Sequence, residues 1–334
     1  MNNVAIVILN YNGEKLLSQF LPSVVQHSKG ARIIVVDNGS TDTSAELVRN
    51  NFPSVELLRF EKNHGFCGGY NRALKEIKSD YYVLLNSDVE VTARWLNPLI
   101  ELLDVDQKIA AVQPKILAQH EKNHFEYAGA GGGFIDAFGY PFCRGRLFTF
   151  SEKDSGQYND TREVFWASGA CMVIRAEVYH TLGGLDESFF AHMEEIDLCW
   201  RIQRAGLKVF YCGGSTVFHV GGGTLSKSSP RKTYYNFRNG LSLLFKHLPS
   251  MELFYKLPIR LILDYLAALK FLLGGAAKDS RAVLKAHYDF FSTLGITKKT
   301  RRKLKSEYPI SKKNIYPGLA PLDYYLLKKD KITI

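Results

Sequence analysis

The chain has 334 residues and few cysteines, five in all, and none of Cys67, Cys143, Cys171, Cys199 and Cys212 stands in a C-x-x-C pair. An odd, scattered set excludes a disulfide framework and a zinc knuckle, and it points to a reducing, cytosolic-side setting. A basic leader is missing too. Met1-Asn2-Asn3 runs straight into Val4-Ala5-Ile6-Val7-Ile8-Leu9, an apolar run of strand length, so no signal peptide is expected. The most apolar stretch, residues 253–277, is interrupted by Lys256, Arg260, Asp264 and Lys270, which argues against a span of about 20 apolar residues. The turn after the first strand lacks G-x-G-x-x-G, which disfavours a dinucleotide fold.

With 46% hydrophobic and 23% charged residues, the composition is that of a globular protein able to bury a sizeable core. The net charge of +10 is unevenly spread. Residues 278–334 hold 14 Lys and Arg against five acids, so nearly all of the excess belongs to the C-terminal part.

The first 116 residues alternate short β-branched runs with helical patterns, which reads as a parallel sheet covered by helices. Strands are expected at 4–9, 33–36, 55–60, 81–85 and from 110 to 112 or beyond, with helices at 14–27, 42–51, 68–77 and 93–103. Residues 117–162 form a Gly-rich, aromatic insert without sustained period, expected as a binding loop. A strand at 164–174, helices at 175–182 and 194–205, and strands near 208–211 and 216–219 follow. The four polar residues of 253–277 fall within an arc of about 120°, giving an amphipathic helix entered at Pro258 that packs on the domain or lies in a membrane surface.

Four segments carry chemistry. Asn10-Tyr11-Asn12-Gly13 and Asp37-Asn38-Gly39-Ser40-Thr41-Asp42 end the first two strands, where an open parallel sheet places its ligand crevice. Asp37 is the candidate acceptor from a base N–H or ribose hydroxyl, and Asp42 is left to helix capping. Asn86-Ser87-Asp88 follows the next buried strand, and an acid there can hold Mg²⁺ or Mn²⁺ together with a diphosphate. An isolated N-x-D also reads as an Asx-turn. Glu194-Glu195-Ile196-Asp197 opens a helix; the macrodipole favours acids there, yet neighbouring carboxylates also raise one another's pKa and leave one poised as a base. Leu198 and Ile202 face the core, so Glu194 and Glu195 are expected to look outward into a cleft. His219, at a strand end before Gly221-Gly222-Gly223-Thr224 with Lys227, Arg231 and Lys232 following, suggests an anion site with a metal.

Taken in order, these segments resemble the family 2 glycosyltransferases of the GT-A fold, inverting enzymes that use nucleotide-diphosphate sugars, and most of all the rhamnosyltransferase-like bacterial members that build surface polysaccharides. The resemblance covers about residues 3–245. It implies an α/β fold with a mostly parallel central sheet as a catalytic domain, 1–245, followed by a helical, basic extension, 246–334. It implies that Asn10, Tyr11, Asn12 and Asp37 line the nucleotide site. Asn63, Gly65 and Asn71 then belong to an N-x-G-x-x-x-G-x-N segment near the donor. Asn86, Ser87 and Asp88 take the place of the family's D-x-D, with Asp88 and His219 as ligands of Mn²⁺ or Mg²⁺. Trp166, Ser168 and Gly169 line the acceptor side. Gly183-Gly184-Leu185-Asp186-Glu187-Ser188-Phe189-Phe190 precedes Glu194-Glu195-Ile196-Asp197 as G-x-x-D-E-x-F-F precedes E-D-x-D in the family, making Glu195 the general base and Asp197 a supporting acid beside Glu194. Two departures stand out: Asn86 replaces the first Asp of D-x-D, which predicts weaker metal affinity, and the base is Glu where the family commonly has Asp.

Other classes fit less well. A sugar nucleotidyltransferase needs a Gly-rich basic loop after strand one, which Asn10-Tyr11-Asn12-Gly13-Glu14 does not supply. A processive synthase needs several spans and Q-x-x-R-W, which Gln203-Arg204-Ala205-Gly206 does not match. A binding module with a degenerate site is the non-enzyme reading. The basic tail lacks the stacking platform of a nucleic-acid binder, and its charge suggests anionic lipid instead, with a glycan or lipid-linked acceptor on the cytoplasmic face of the membrane.

Overall fold

The computed structural model describes residues 3–221 and 229–334. Strands β1 (Val4–Asn10), β2 (Arg32–Asp37), β3 (Glu56–Arg59), β4 (Tyr81–Asn86), β5 (Val89–Val91) and β6 (Ile109–Ala118) alternate with helices α1 (Glu14–His27), α2 (Ser44–Asn51), α3 (Gly65–Glu76) and α4 (Asn97–Val105). Next come β7 (Gly133–Asp136), β8 (Pro141–Cys143), β9 (Arg146–Leu147), β10 (Phe150–Ser151), β11 (Thr161–Val164), β12 (Cys171–Arg175), α5 (Ala176–Thr181), α6 (Glu194–Arg204) and β13 (Lys208–His219). The C-terminal part contains α7 (Pro230–His247), α8 (Ser250–Leu273), α9 (Ala277–Ser292), α10 (Leu294–Glu307), β14 (Ile315–Tyr316) and α11 (Ala320–Tyr325).

The central sheet has nine strands in the order β11-β13-β6-β12-β4-β1-β2-β3, with β5 paired to β13. Strands β3, β2, β1 and β4 are parallel; β12 runs antiparallel between β4 and β6. Alternation along β1 explains the layering: Ile6 and Ile8 pack with Leu17 and Leu21 of α1 on one face, while Ala5 and Val7 pack with Tyr70 and Leu74 of α3 on the other. Both faces are covered, so the strand is apolar throughout, as parallel sheets require. Register sets the site, because Asn10 pairs with Asp37 and Leu9 with Asn86, so three candidate residues arrive at one edge.

Four expectations need correction. The insert at 117–162 is not a bare loop; β7 to β10 form a second sheet in the order β10-β9-β8-β7-β14, held by buried aromatics such as Phe134 and Phe142. The strand expected at 164–174 is two strands, β11 and β12, separated by the turn that carries Ser168 and Gly169. The two strands near 208–219 are one, with a register shift between Cys212 and Thr216. Pro258 lies inside α8 rather than at its entrance.

The 246–334 stretch is tied closely to what precedes it. The position 245/246 falls within α7, β14 pairs with β7, and Arg204 of α6 donates to the carbonyls of Leu304, Tyr308 and Pro309. Helix α8 turns Arg260 and Asp264 inward. Arg260 Nε donates to Asp264 Oδ1 (2.8 Å) and its guanidinium also reaches Phe138 O, while Tyr140 O–H and His287 Nε2 bond the same carboxylate. All five cysteines are buried free thiols.

Candidate active site

The edge formed by the ends of β1, β2 and β4 is a hydrogen-bonded frame. Asn12 adopts φ 51° and its side-chain oxygen accepts from Thr41 N–H at 2.8 Å, while Ser40 Oγ accepts from Asn12 N–H at 2.9 Å. Asn10 Nδ2 donates to the same hydroxyl. Gly39, at φ 76°, packs so tightly that a Cβ would lie 2.5 Å from Lys62 C, so only glycine fits that turn. Asp37 is fully buried; one oxygen accepts from Ser40 N–H and the other lies 3.2 Å from Arg59 Nε with no aligned donor. Tyr11 stands half exposed at the rim. Asp42 is not the N-cap of α2, which is Thr43; it lies one residue before and accepts from Ser44 N–H, the first amide of the helix, and from Glu14 N–H.

Asn63 and Gly65 join this frame through Asn38, whose amide donates to Asn63 Oδ1 and Gly65 O. Asn71 has a different task. Its amide nitrogen donates to Leu185 O (2.7 Å) and to Glu187 Oε1 (3.3 Å) and its oxygen accepts from Leu185 N–H and Tyr179 O–H, so it fixes the 183–190 loop and all four of its hydrogen-bonding positions are taken. A cavity of about 550 Å³ lies beside it, lined by Asp186, Arg201, Lys246 and Lys303 among others; neither Glu195 nor Asp88 lines it.

Asp88 is buried and lies 3.1 Å from His219 Nε2; on the other side of the ring, Glu126 Oε2 is 3.3 Å from Nδ1. Burial alone would depress the His219 pKa, but the hydrogen bonds and charges of Asp88 and Glu126 outweigh it and raise it to about 10. Asn86 Nδ2 is 3.5 Å from the same Nε2. Among the described residues no group of three or more His, Cys, Asp and Glu surrounds one metal position. The donor chemistry nonetheless fits a divalent cation between Asp88 and His219 that shares its other positions with phosphate and water, since a carboxylate behind a ligating imidazole is the usual supporting partner. Glu126 was not legible beforehand: it sits alone before the Gly-rich insert, 93 positions from His219. Of the segment after His219, Gly222, Gly223, Thr224 and Lys227 lie outside the described residues.

Helix α6 is entered through a strained loop, with Phe190, His192 and Met193 at φ 65°, 67° and 72°. The amide of Asn239 in α7 holds it by donating to Phe189 O, Ala191 O and His192 O. Glu195 emerges half-buried, its Cβ 3.9 Å from where Gly169 would carry one. Gly169 precedes Ala170, whose carbonyl accepts from Asn86 N–H, so the 169–170 backbone links the base candidate to the Asn86-Ser87-Asp88 turn. Burial raises Glu195 to about 7 against the pull of nearby backbone N–H groups, and one carboxylate oxygen has no partner. Glu194 does not look outward as expected. It is buried, one of its oxygens also lacks a partner, and burial together with the Glu195 charge pushes its pKa well above the carboxylate range.

Asp197 is entirely enclosed. Arg201 Nε donates to it at 2.8 Å, Lys246 Nζ lies at 2.5 Å and His247 Nε2 at 2.9 Å. Burial opposes its charge, but the Lys246 and Arg201 charges and the His247 hydrogen bond hold its pKa well below the usual value. Of the residues expected on the acceptor side, Gly169 lies against Glu195, whereas Ser168 is buried with its Oγ donating to Ala128 O. Trp166 is buried too, and its indole N–H donates to Phe134 O, because a ring of that size fills the space above Gly133.

This fold, a central sheet whose parallel strands bring Asn10, Asp37 and Asn86 to one edge, is a GT-A glycosyltransferase architecture. The fold is shared with the structure of GalNAc-T7 with UDP, GalNAc and Mn²⁺ (TM-score 0.57, 17% identity, 93% of this chain and 58% of that one). It is shared also with mannosyltransferase PcManGT from Pyrobaculum calidifontis in complex with GDP-Man and Mn²⁺ (TM-score 0.54, 13% identity, 98% and 88%). Residues 5–183 match the model for glycosyl transferase family 2, and the chain belongs to that family. It is similar to the N-acetylglucosaminyl-diphospho-decaprenol L-rhamnosyltransferase of Mycobacterium tuberculosis, with 25% identity over 233 residues, 64% of this chain and 75% of the relative.

Proposed function

We propose that this glycosyltransferase acts with inversion, moving a sugar from a nucleoside-diphosphate donor to a hydroxyl of a glycan or lipid-linked acceptor in surface polysaccharide assembly. The observation that carries the reading is Glu195: a half-buried carboxylate, raised to about 7, with one oxygen unpartnered, linked to the Asn86-Ser87-Asp88 turn through the 169–170 backbone. A base near neutrality is both ionised enough to accept a proton and basic enough to do so effectively. The acceptor hydroxyl oxygen attacks the anomeric carbon, its proton passes to Glu195, and the bond from that carbon to the diphosphate oxygen breaks. Asp37 and the Asn10–Asn12 turn hold the nucleoside. A Mg²⁺ or Mn²⁺ ion on Asp88 and His219 would supply positive charge to the departing diphosphate. Asp197 acts through position, anchoring the helix that aims Glu195. With a lipid-linked acceptor, the enzyme works peripherally at the cytoplasmic face of the membrane. No described helix is long and apolar enough to cross one.

The deciding variant is Glu195→Gln. Transfer should fall by about 10²–10⁴-fold, with nucleoside-diphosphate binding by titration calorimetry, with and without Mn²⁺, unchanged. Undiminished transfer removes Glu195 from the mechanism, and a retained anomeric configuration in the product, read by NMR, removes inversion. A degenerate binding module would bind nucleotide and neither transfer nor hydrolyse the donor.

A further inference from the structure

We infer that the outward face of α8, continued by α9 and residues 326–327, is the surface on which this protein seats against an anionic lipid bilayer. The inference rests on the peripheral-membrane reading above and names the face responsible.

Helix α8 is turned inside out relative to an ordinary surface helix. Its charged residues Arg260 and Asp264 are buried at 3% and 0% exposure, whereas Met251, Phe254, Leu266 and Leu273 are 77%, 81%, 57% and 80% exposed. At 100° per residue, every exposed large apolar side chain from Met251 to Leu273 falls within an arc of about 140°, and no charged residue shares that arc. The strip is about 33 Å long. Next to it, Leu284, Tyr288 and Phe291 recur on one side of α9 and are exposed at 50%, 73% and 49%. Tyr265 of α8 packs edge-on against His287 of α9, which places the two helices side by side. Lys270 Nζ sits 3.8 Å over the Tyr325 ring, bringing exposed Leu326 and Leu327 to the same end. A continuous apolar surface of this extent marks an interaction site.

Charge selects the occupant. Lys270 of α8, Lys278 and Arg281 in the first turns of α9, and Lys328 next to Leu327 are exposed. In a face-to-face pair of chains these cations would oppose one another, while anionic headgroups complement them and acyl chains accept the Leu, Ile and Phe side chains. The inward Arg260–Asp264 pair makes the arrangement compatible with shallow seating, since the helix carries this ion pair on the protein side.

The test is vesicle flotation of the full chain with phosphatidylcholine vesicles, with and without phosphatidylglycerol. Wild type should float with the anionic vesicles, and Leu266→Asp/Leu269→Asp should lower the bound fraction by at least about tenfold, with circular dichroism and transfer to a water-soluble acceptor unchanged. Lys278→Glu/Arg281→Glu should weaken binding to the anionic vesicles and leave the small binding to neutral ones. Wild-type and Leu266→Asp/Leu269→Asp proteins floating equally would overturn this face and leave the membrane reading standing. No flotation of wild type would overturn both. A wild-type dimer by light scattering that the double substitution dissociates, without vesicle binding, would assign the face to a second copy instead. Transfer to the soluble acceptor tests the catalytic reading separately in every case.

Discussion

Two carboxylates two residues apart on α6 meet opposite fates. Glu195 is half-buried and Asp197 fully enclosed, yet one is driven up to about 7 and the other well below the ordinary range. Burial acts on both in the same direction, so the difference is made by partners. Asp197 points at Arg201, Lys246 and His247; Glu195 has no cation, a buried acid for a neighbour and an open side. One side of the first turn of the helix therefore carries a carboxylate held near neutrality and the other an ion-paired one.

The contrast can be broken most forcefully at Lys246, which bridges Asp197 and Asp186. Lys246→Met leaves buried carboxylate charge underpaired and should cost about 3–5 kcal/mol of stability, measured by urea unfolding; a loss below 1 kcal/mol would mean that Arg201 and His247 suffice. His247 gives a graded probe. Its pKa is lowered to about 4 by burial, despite the Asp197 contact, from an ordinary 6.5. Between those values the unfolded chain takes up a proton that the folded chain refuses, so stability falls as pH drops, by about 1.4 kcal/mol per pH unit. His247→Gln should remove that part of the acid slope, and unfolding midpoints from pH 4 to 6.5 would reveal an unchanged slope if it does not. The mildest test leaves the protein intact. If Glu195 is the base, kcat/KM should fall about tenfold per pH unit below 7 and level off above it, and a profile flat down to pH 5 would point to another group.

Much of this could be read from the chain because β1, β2 and β4 are locally consistent: apolar runs, turn residues at their ends and helix periods between them. Asp37 and Asp88 sit at those ends, so strand prediction located them. What escaped depends on long-range meetings. Lys246 and His247 reach Asp197 from fifty positions away, and a helix-start acid reads the same with or without them. Glu126 looked like one polar residue in an irregular insert. Asn71 matched a motif, but its amide is spent on Leu185, a contact across 114 residues. Trp166 was placed by chemistry of type, an aromatic near a cleft, when the space above Gly133 decided its burial. The polar arc of α8 was recognised; which way it faced was set by Tyr140 and His287.

Strand β14 adds a temporal consequence. Ile315 and Tyr316 pair with Ile135 and Asp136, and Ala320 N–H donates to the buried carboxylate of Asp136. A ribosome delivers residues in order, at about 5–20 per second, so the sheet begun at residue 133 waits some ten to forty seconds for its edge strand. During that interval the flank of β7 is an uncovered strand edge, the kind that recruits foreign strands. Translation of the C-terminal part thus closes a vulnerability opened halfway through synthesis.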